Sequence, residues 1–313
     1  MTVKFAMVFP GQGSQSVGML AELAAHYPEV KTVFDKASSV LAYDLWELIQ
    51  VDPEKKLDQT EYTQAALLAA DVAVWECWLA AGGQRPSLMA GHSLGEYSAL
   101  VCAGALKFED GIALVAARGR YMQEAVSPGE GAMAAIVGLD MAAVVELCSR
   151  AAVYGIVSPA NYNSIGQTVV AGQTAAVEEV VNLAKNEGAK LAKILPVSVP
   201  SHCGLMHAAA QQLRHDLTKV QIEAPKIPVV QNADVSTHQV PDEIRQLLVE
   251  QLTAPVRWVE TVEYFVEQDV KLMIECGPGK ILTGLNKRIT PVKTLPINDS
   301  VSLSEALNLL KEI

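Results

Sequence analysis

The chain has 313 residues with 35 acidic and 24 basic side chains, a formal net charge of −11, and half of it is hydrophobic. That length supports one large domain or two modest ones with an adequate core, so disulfide staples are unnecessary. The acidic balance argues against sequence-independent binding to nucleic acid, which requires a cationic surface to displace counterions from phosphates.

The first element is an apolar run, Phe5 to Phe9, stopped by Pro10 and Gly11. It predicts a short buried strand and a turn, and is no signal peptide. The most apolar region, Ala65 to Ala81, is interrupted by Asp71 and Glu76, so no stretch reaches the roughly 18 uninterrupted residues of a membrane span. Ser87 to Ala90 predicts a second strand and Lys271 to Glu275 a third, each running into a glycine-containing turn before a helix. Short apolar runs alternating with longer helical patterns favour an α/β architecture with a largely parallel sheet, which places its chemistry at such turns.

The middle of the chain reads differently. From Gly131 to Val197 the pattern is a strand (132–137), a helix (141–151), two strands (156–162 and 168–171), a helix (174–186) and a strand (189–195). That βαββαβ order is ferredoxin-like. Breakers at Ser127-Pro128-Gly129 and from Pro196 to Pro200 flank it, which predicts a small domain at 129–196 inserted into a larger one formed by 1–128 and 197–313, with the cleft between them as the site. The five cysteines are odd in number, widely spaced and form no C-x-x-C. They suggest neither a disulfide framework nor a zinc site, and fit a reducing, cytoplasmic compartment.

The sharpest chemical signal is Gly91-His92-Ser93-Leu94-Gly95, between an apolar strand and the helical segment from Glu96. This is a G-x-S-x-G nucleophile elbow in its required context, where small residues permit a tight turn and the helix N-terminus offers N–H groups to an oxyanion. A serine hydroxyl needs a base, and there are six histidines. His92 sits beside Ser93 and is expected to point away across the turn, while His26, His215 and His238 lie in polar surroundings. His202, at the end of an apolar stretch through Val197-Ser198-Val199, and His207 remain. Spacing alone makes His202 only the better of the two, because a lone histidine is more often structural than catalytic.

Gly11-Gln12-Gly13 suggests a dinucleotide loop but fails the G-x-G-x-x-G test at Ser16. Gly277-Pro278-Gly279-Lys280 likewise lacks the spacing of a phosphate loop. In the helical pattern from Glu109, Arg118 projects about 80° and Arg120 about 120° from the centre of the apolar stripe, so Arg118 is nearer the interior. It reads either as a snorkelling surface arginine or as a guanidinium fork for a carboxylate.

Taken together, Phe9-Pro10-Gly11-Gln12-Gly13-Ser14-Gln15, Gly91-His92-Ser93-Leu94-Gly95-Glu96-Tyr97, Arg118-Gly119-Arg120, Pro200-Ser201-His202-Cys203, Gln251, Pro255-Val256-Arg257-Trp258 and Gly277-Pro278-Gly279-Lys280 resemble the malonyl-CoA:acyl carrier protein transacylase family in order and separation over almost the whole chain. The resemblance implies an α/β hydrolase-like core with an inserted ferredoxin-like domain. It also implies Ser93 as nucleophile, His202 as general base and acid, and the Gln251 backbone carbonyl as the group orienting the histidine. Backbone N–H groups of Gln12 and Leu94 would form the oxyanion hole, and Arg118 would bind the malonyl carboxylate. Malonyl-CoA is then a substrate, acyl carrier protein the partner, and neither cofactor nor metal is implied.

An acidic enzyme needs a local positive field to meet an acidic carrier. Lys190, Lys193, Lys287 and Arg288 are candidates by clustering, with plain solubility an equally good explanation. A monomer serving fatty acid synthesis is the simplest expectation. A trans-acting acyltransferase of polyketide synthesis, a serine thioesterase built on the same Ser93 and His202, and a non-catalytic carrier-binding subunit are the competing readings. Arg118 favours transfer over hydrolysis, because a carboxylate clamp serves malonyl and is wasted on a plain alkyl chain.

Overall fold

The computed structural model describes residues 3–197 and 199–312; Ser198, in the stretch leading to His202, lies outside the described residues. The strands are β1 (Phe5–Phe9), β2 (Leu88–Gly91), β3 (Gly131–Val137), β4 (Val157–Ser164), β5 (Gln167–Gln173), β6 (Leu191–Ile194), β7 (Val229–Val230), β8 (Leu272–Cys276) and β9 (Lys293–Ile297). Five of them form a parallel sheet in the order β7-β2-β1-β8-β9.

β1, β2 and β8 are buried along their whole length, which is why they read as unbroken apolar runs: helices cover both faces of a parallel sheet. Strand alternation divides their side chains. Phe5, Met7, Phe9 and Ile274 pack on the layer holding the helix Thr60–Ala80. Ala6, Val8, Ala90 and Met273 pack on the other, with Trp258, Val262 and Phe265 of the helix Trp258–Glu267. The helix Thr60–Ala80 contains most of the apolar region noted above and is a core helix, buried on nearly all sides. No helix among the described residues is long and apolar enough to cross a membrane.

The other four strands form a separate antiparallel sheet, ordered β4-β5-β3-β6. One face, through Ala134, Ile136 and Val170, packs on the helices Met141–Ala151 and Thr174–Asn186. The opposite face carries Met133, Val169 and Ala171 and packs with Cys203. The two helices occupy the residues expected of them. The strands differ from expectation by a residue or two at their ends, because pairing decides where a strand stops: β4 continues to Ser164 through two register shifts, and β6 is confined to the four residues Leu191–Ile194. β4 is also tied to the parallel part of the molecule, since Tyr162 N–H donates to the Val256 carbonyl and Val256 N–H to that of Ala160, each at 2.9 Å.

The turn after β2 depends on backbone contact. A Cβ on Gly91 would lie 1.8 Å from the Gly95 carbonyl carbon, which cannot retreat, whereas a Cβ on Gly284 in the helix Ile281–Asn286 meets open space. Gly91→Ala is therefore expected to destabilise the fold by more than about 4 kcal/mol, and Gly284→Ala to stabilise it by about 0.5–1 kcal/mol. Urea unfolding of the two variants measures both.

Candidate active site

β2 ends at Gly91 and the chain turns through Ser93 into the helix Gly95–Cys102. Ser93 has φ 53°, in the left-handed region that residues with a Cβ adopt only under strain. The turn presses on β1, because a Cβ on Gly95 would lie 2.1 Å from the Phe9 carbonyl oxygen. Asn232 clamps it from the far side: its Nδ2 donates to the Gly91 carbonyl at 2.7 Å and its Oδ1 accepts from Ser93 N–H at 2.8 Å.

His202 is buried and also left-handed, φ 62°. Its Nε2 lies 2.7 Å from Ser93 Oγ and its Nδ1 2.7 Å from the Gln251 carbonyl oxygen. A carbonyl can only accept, so Nδ1 carries the proton and Nε2 offers its lone pair to the serine hydroxyl. Burial, followed by the nearby positive charge of Arg118, pushes the His202 pKa down to about 3. The imidazole is therefore a free base at neutral pH.

Arg118, on the helix Phe108–Glu124, is 1% exposed. Its Nη1 donates to Gln64 Oε1 at 2.8 Å, and its Nη2 to Gln251 Oε1 at 3.0 Å and to Ser93 Oγ at 3.3 Å. The guanidinium also lies over the Tyr97 ring, 5.3 Å from its centre. Among the described residues no carboxylate is within ion-pair distance of it. A buried cation without a counterion in contact is costly and so favours an incoming anion.

These groups open on a cavity of about 210 Å³ between the two sheets, to which the antiparallel sheet contributes Met133, Asn161, Asn163 and Val169. Gln12 and Leu94 line it beside Ser93. Among the described residues the backbone amides of Gln12 and Leu94 donate to no protein acceptor. The arrangement brings a serine hydroxyl, an imidazole with a fixed tautomer, two backbone N–H groups and a guanidinium to one cavity. Among the described residues no three His, Cys, Asp or Glu side chains are grouped as a metal would require.

The other candidates separate clearly. His207 is exposed, with Nδ1 on the Gly204 carbonyl. His26 and His215 are exposed, and His238 is held between Asp234 and Glu243. His92 turns from Ser93, its Nε2 2.8 Å from Asn163 Oδ1 and its ring against Trp258, yet it lines the same cavity. Arg120 is exposed. Lys190, Lys193, Lys287 and Arg288 are all exposed. Sheet register brings two of these regions together: Arg288 Nη1 donates to Gln167 Oε1 at 2.8 Å, Gln167 pairs with Val137, and Val137 pairs with Leu191, the neighbour of Lys190. Sequence reasoning missed Asn232, Gln64 and Glu96, whose partners lie on distant segments that no local pattern signals.

Residues 6–296 match the acyl transferase domain family. The chain is 53% identical over 305 residues to the malonyl CoA-acyl carrier protein transacylase of Salmonella typhimurium, covering 97% of this chain and 99% of that one. It is 42% identical over 313 residues to the protein of the same name from Bacillus subtilis, covering 99% and 98%. Among solved structures it is similar to the malonyl CoA-acyl carrier protein transacylase of Coxiella burnetii, with TM-score 0.98, 54% identity and coverage of 99% and 98%. It is also similar to a malonyl-transacylase in complex with a type II PKS acyl-carrier protein, with TM-score 0.96, 53% identity and coverage of 98% and 99%.

The low pKa of His202 has a direct consequence, because only a neutral imidazole can accept a proton from the Ser93 hydroxyl 2.7 Å away. Reaction of Ser93 with a small uncharged sulfonyl fluoride should stay flat from about pH 8 down to about pH 5, without the acidic limb of an ordinary histidine. Arg118→Ala removes a positive neighbour and should move that limb upward. A wild-type limb near the ordinary histidine value would contradict the depressed pKa of His202.

Proposed function

The chain belongs to the acyl transferase family and, within it, to the malonyl-CoA:acyl carrier protein transacylases; from that premise we propose how its own residues move the malonyl group. The observation that carries the reading is a buried Arg118, with no carboxylate in contact among the described residues, whose Nη2 lies 3.3 Å from Ser93 Oγ. That spacing suits an acyl group whose carboxylate is one methylene from the reacting carbonyl, as in malonyl.

Ser93 Oγ attacks the thioester carbonyl of malonyl-CoA while His202 Nε2 takes its proton. The carbonyl oxygen becomes an oxyanion facing the amides of Gln12 and Leu94. Collapse of the tetrahedral adduct breaks the carbon–sulfur bond, coenzyme A leaves with the proton from His202, and malonyl stays as an ester on Ser93. In the second half the phosphopantetheine thiol of acyl carrier protein gives its proton to His202 and attacks the same carbonyl, and Ser93 recovers its proton as it leaves. The Gln251 carbonyl keeps the imidazole in one tautomer through both halves. Bound malonyl also offsets the charge of Arg118, which raises the basicity of His202 when the substrate is in place.

In this reading residues 1–128 and 197–313 form an α/β hydrolase-like catalytic domain and 129–196 an inserted ferredoxin-like domain. The βαββαβ order and the helices on one face of the β4-β5-β3-β6 sheet support it. The exposed group of Lys190, Lys193, Lys287 and Arg288 is the docking patch for carrier protein. The adjacency of Arg288 and Lys190 at one end of the antiparallel sheet supports it, as does the helix Ile281–Asn286, which reaches from the cavity lining to Lys287. We place the enzyme in the cytoplasm as a monomer supplying fatty acid synthesis. Similarity to the transacylase solved with a type II PKS acyl-carrier protein favours polyketide synthesis as the second reading. Parallel assays with a carrier of each kind separate the two.

Arg118→Ala should reduce malonyl transfer far more than acetyl transfer, since acetyl already leaves the guanidinium unpaired at a cost of about 1–3 kcal/mol. Equal losses would contradict the clamp. Reversing Lys287 and Arg288 to Glu should raise the KM for carrier protein about tenfold and leave that for malonyl-CoA in place. An unchanged carrier KM would remove the patch.

A further inference from the structure

Glu96 is a fully buried carboxylate that reaches none of the reacting atoms, and such a group is costly to bury without a purpose. It lies in the first turn of the helix that follows Ser93. Its Oε2 accepts from Asn232 N–H at 2.8 Å and from Gln251 Nε2 at 3.0 Å. Gln251 Nε2 also donates to the Ser93 carbonyl at 3.0 Å, and Gln251 Oε1 accepts from Arg118 Nη2 at 3.0 Å.

An amide has one donating and one accepting end. Two acceptors, the Glu96 carboxylate and the Ser93 carbonyl, face the same end of Gln251, so its NH₂ must point there and its oxygen must point at Arg118. We propose that Glu96 is a positioning residue for acyl selection, fixing through the Gln251 amide the placement of the Arg118 guanidinium beside Ser93. Without it one acceptor remains to hold the NH₂ end, and a rotated Gln251 would turn a donor toward a guanidinium that has only donors. The negative charge of Glu96 also favours the buried cation one side chain away, and burial raises the Glu96 pKa to about 7 against the opposing pull of its hydrogen bonds and of Arg118. The inference rests on the assignment of Arg118 to the malonyl carboxylate.

The test compares Ser93 acylation by malonyl-CoA and by acetyl-CoA, read by mass spectrometry of the intact protein, in wild type and variants whose folding is checked by thermal unfolding. Glu96→Leu should lower the malonyl-to-acetyl ratio at least about tenfold, mainly through the malonyl-CoA KM. Glu96→Gln, whose amide oxygen can take the place of Oε2, should keep the ratio within about threefold. Gln251→Met should match Glu96→Leu, and the double variant should fall no further, because both act on one contact. If Glu96→Leu does not fold, Glu96→Asp withdraws the carboxylate from Gln251 by one methylene and should give the same loss. Equal loss of both acyl groups in a folded Leu or Asp variant overturns the proposal, as does a double variant whose ratio falls by the product of the single effects. A wild-type protein without malonyl preference, or an Arg118→Ala variant that keeps it, overturns the Arg118 assignment instead.

Discussion

A guanidinium held away from water beside the Ser93 hydroxyl, with only neutral groups and an aromatic face in contact, is the interaction on which the rest of the site depends. Arg118 is held by Gln64 and Gln251 and lies over Tyr97. Desolvating such a charge costs several kcal/mol, and neutral acceptors offset only part of it. The remainder is available to an anion that reaches the cavity, which is the basis of the proposed pairing of Arg118 with the malonyl carboxylate. The guanidinium also depresses the basicity of His202.

The fold supplies the rigidity this needs. Parallel strands buried on both faces end together, so the turns after β1 and β2 meet at their carboxyl ends, where a Cβ on Gly11 would lie 2.4 Å from the His92 carbonyl oxygen. Neither turn can move without the other. The antiparallel sheet closes the opposite side with a small apolar face, pinned to the larger part of the molecule by the ladder at Val256. That second layer supplies Met133, Asn161, Asn163 and Val169 to the cavity wall.

Much of this was legible in the sequence where the constraint is local. Gly91 and Gly95 announce the elbow because two backbones touch there, and the apolar run before them announces a doubly covered strand. The angular position of Arg118 on its helix placed it nearer the interior than Arg120, as found. His202 was not singled out by spacing, because its meeting with Ser93 spans 109 residues and is decided by how the chain returns from the antiparallel sheet. The resemblance to a family named it, and in the structure its Nε2 lies 2.7 Å from Ser93 Oγ. Glu96, Asn232 and Gln64 stayed silent: a buried polar residue gains its meaning from partners on other segments, and the Glu96 to Asn232 contact spans 136 positions. The adjacency of Arg288 and Lys190 was hidden for the same reason, being fixed by sheet register.

In the proposed reaction the malonyl group waits on Ser93 between two half-reactions. Incubating the protein with malonyl-CoA alone and digesting it should yield the Ser93 peptide carrying one malonyl group. Adding acyl carrier protein with its phosphopantetheine arm should then discharge that peptide as malonyl appears on the carrier thiol. Free malonate released without transfer would contradict the transfer reaction and make the protein a hydrolase, and the absence of any adduct on Ser93 would contradict its role as nucleophile.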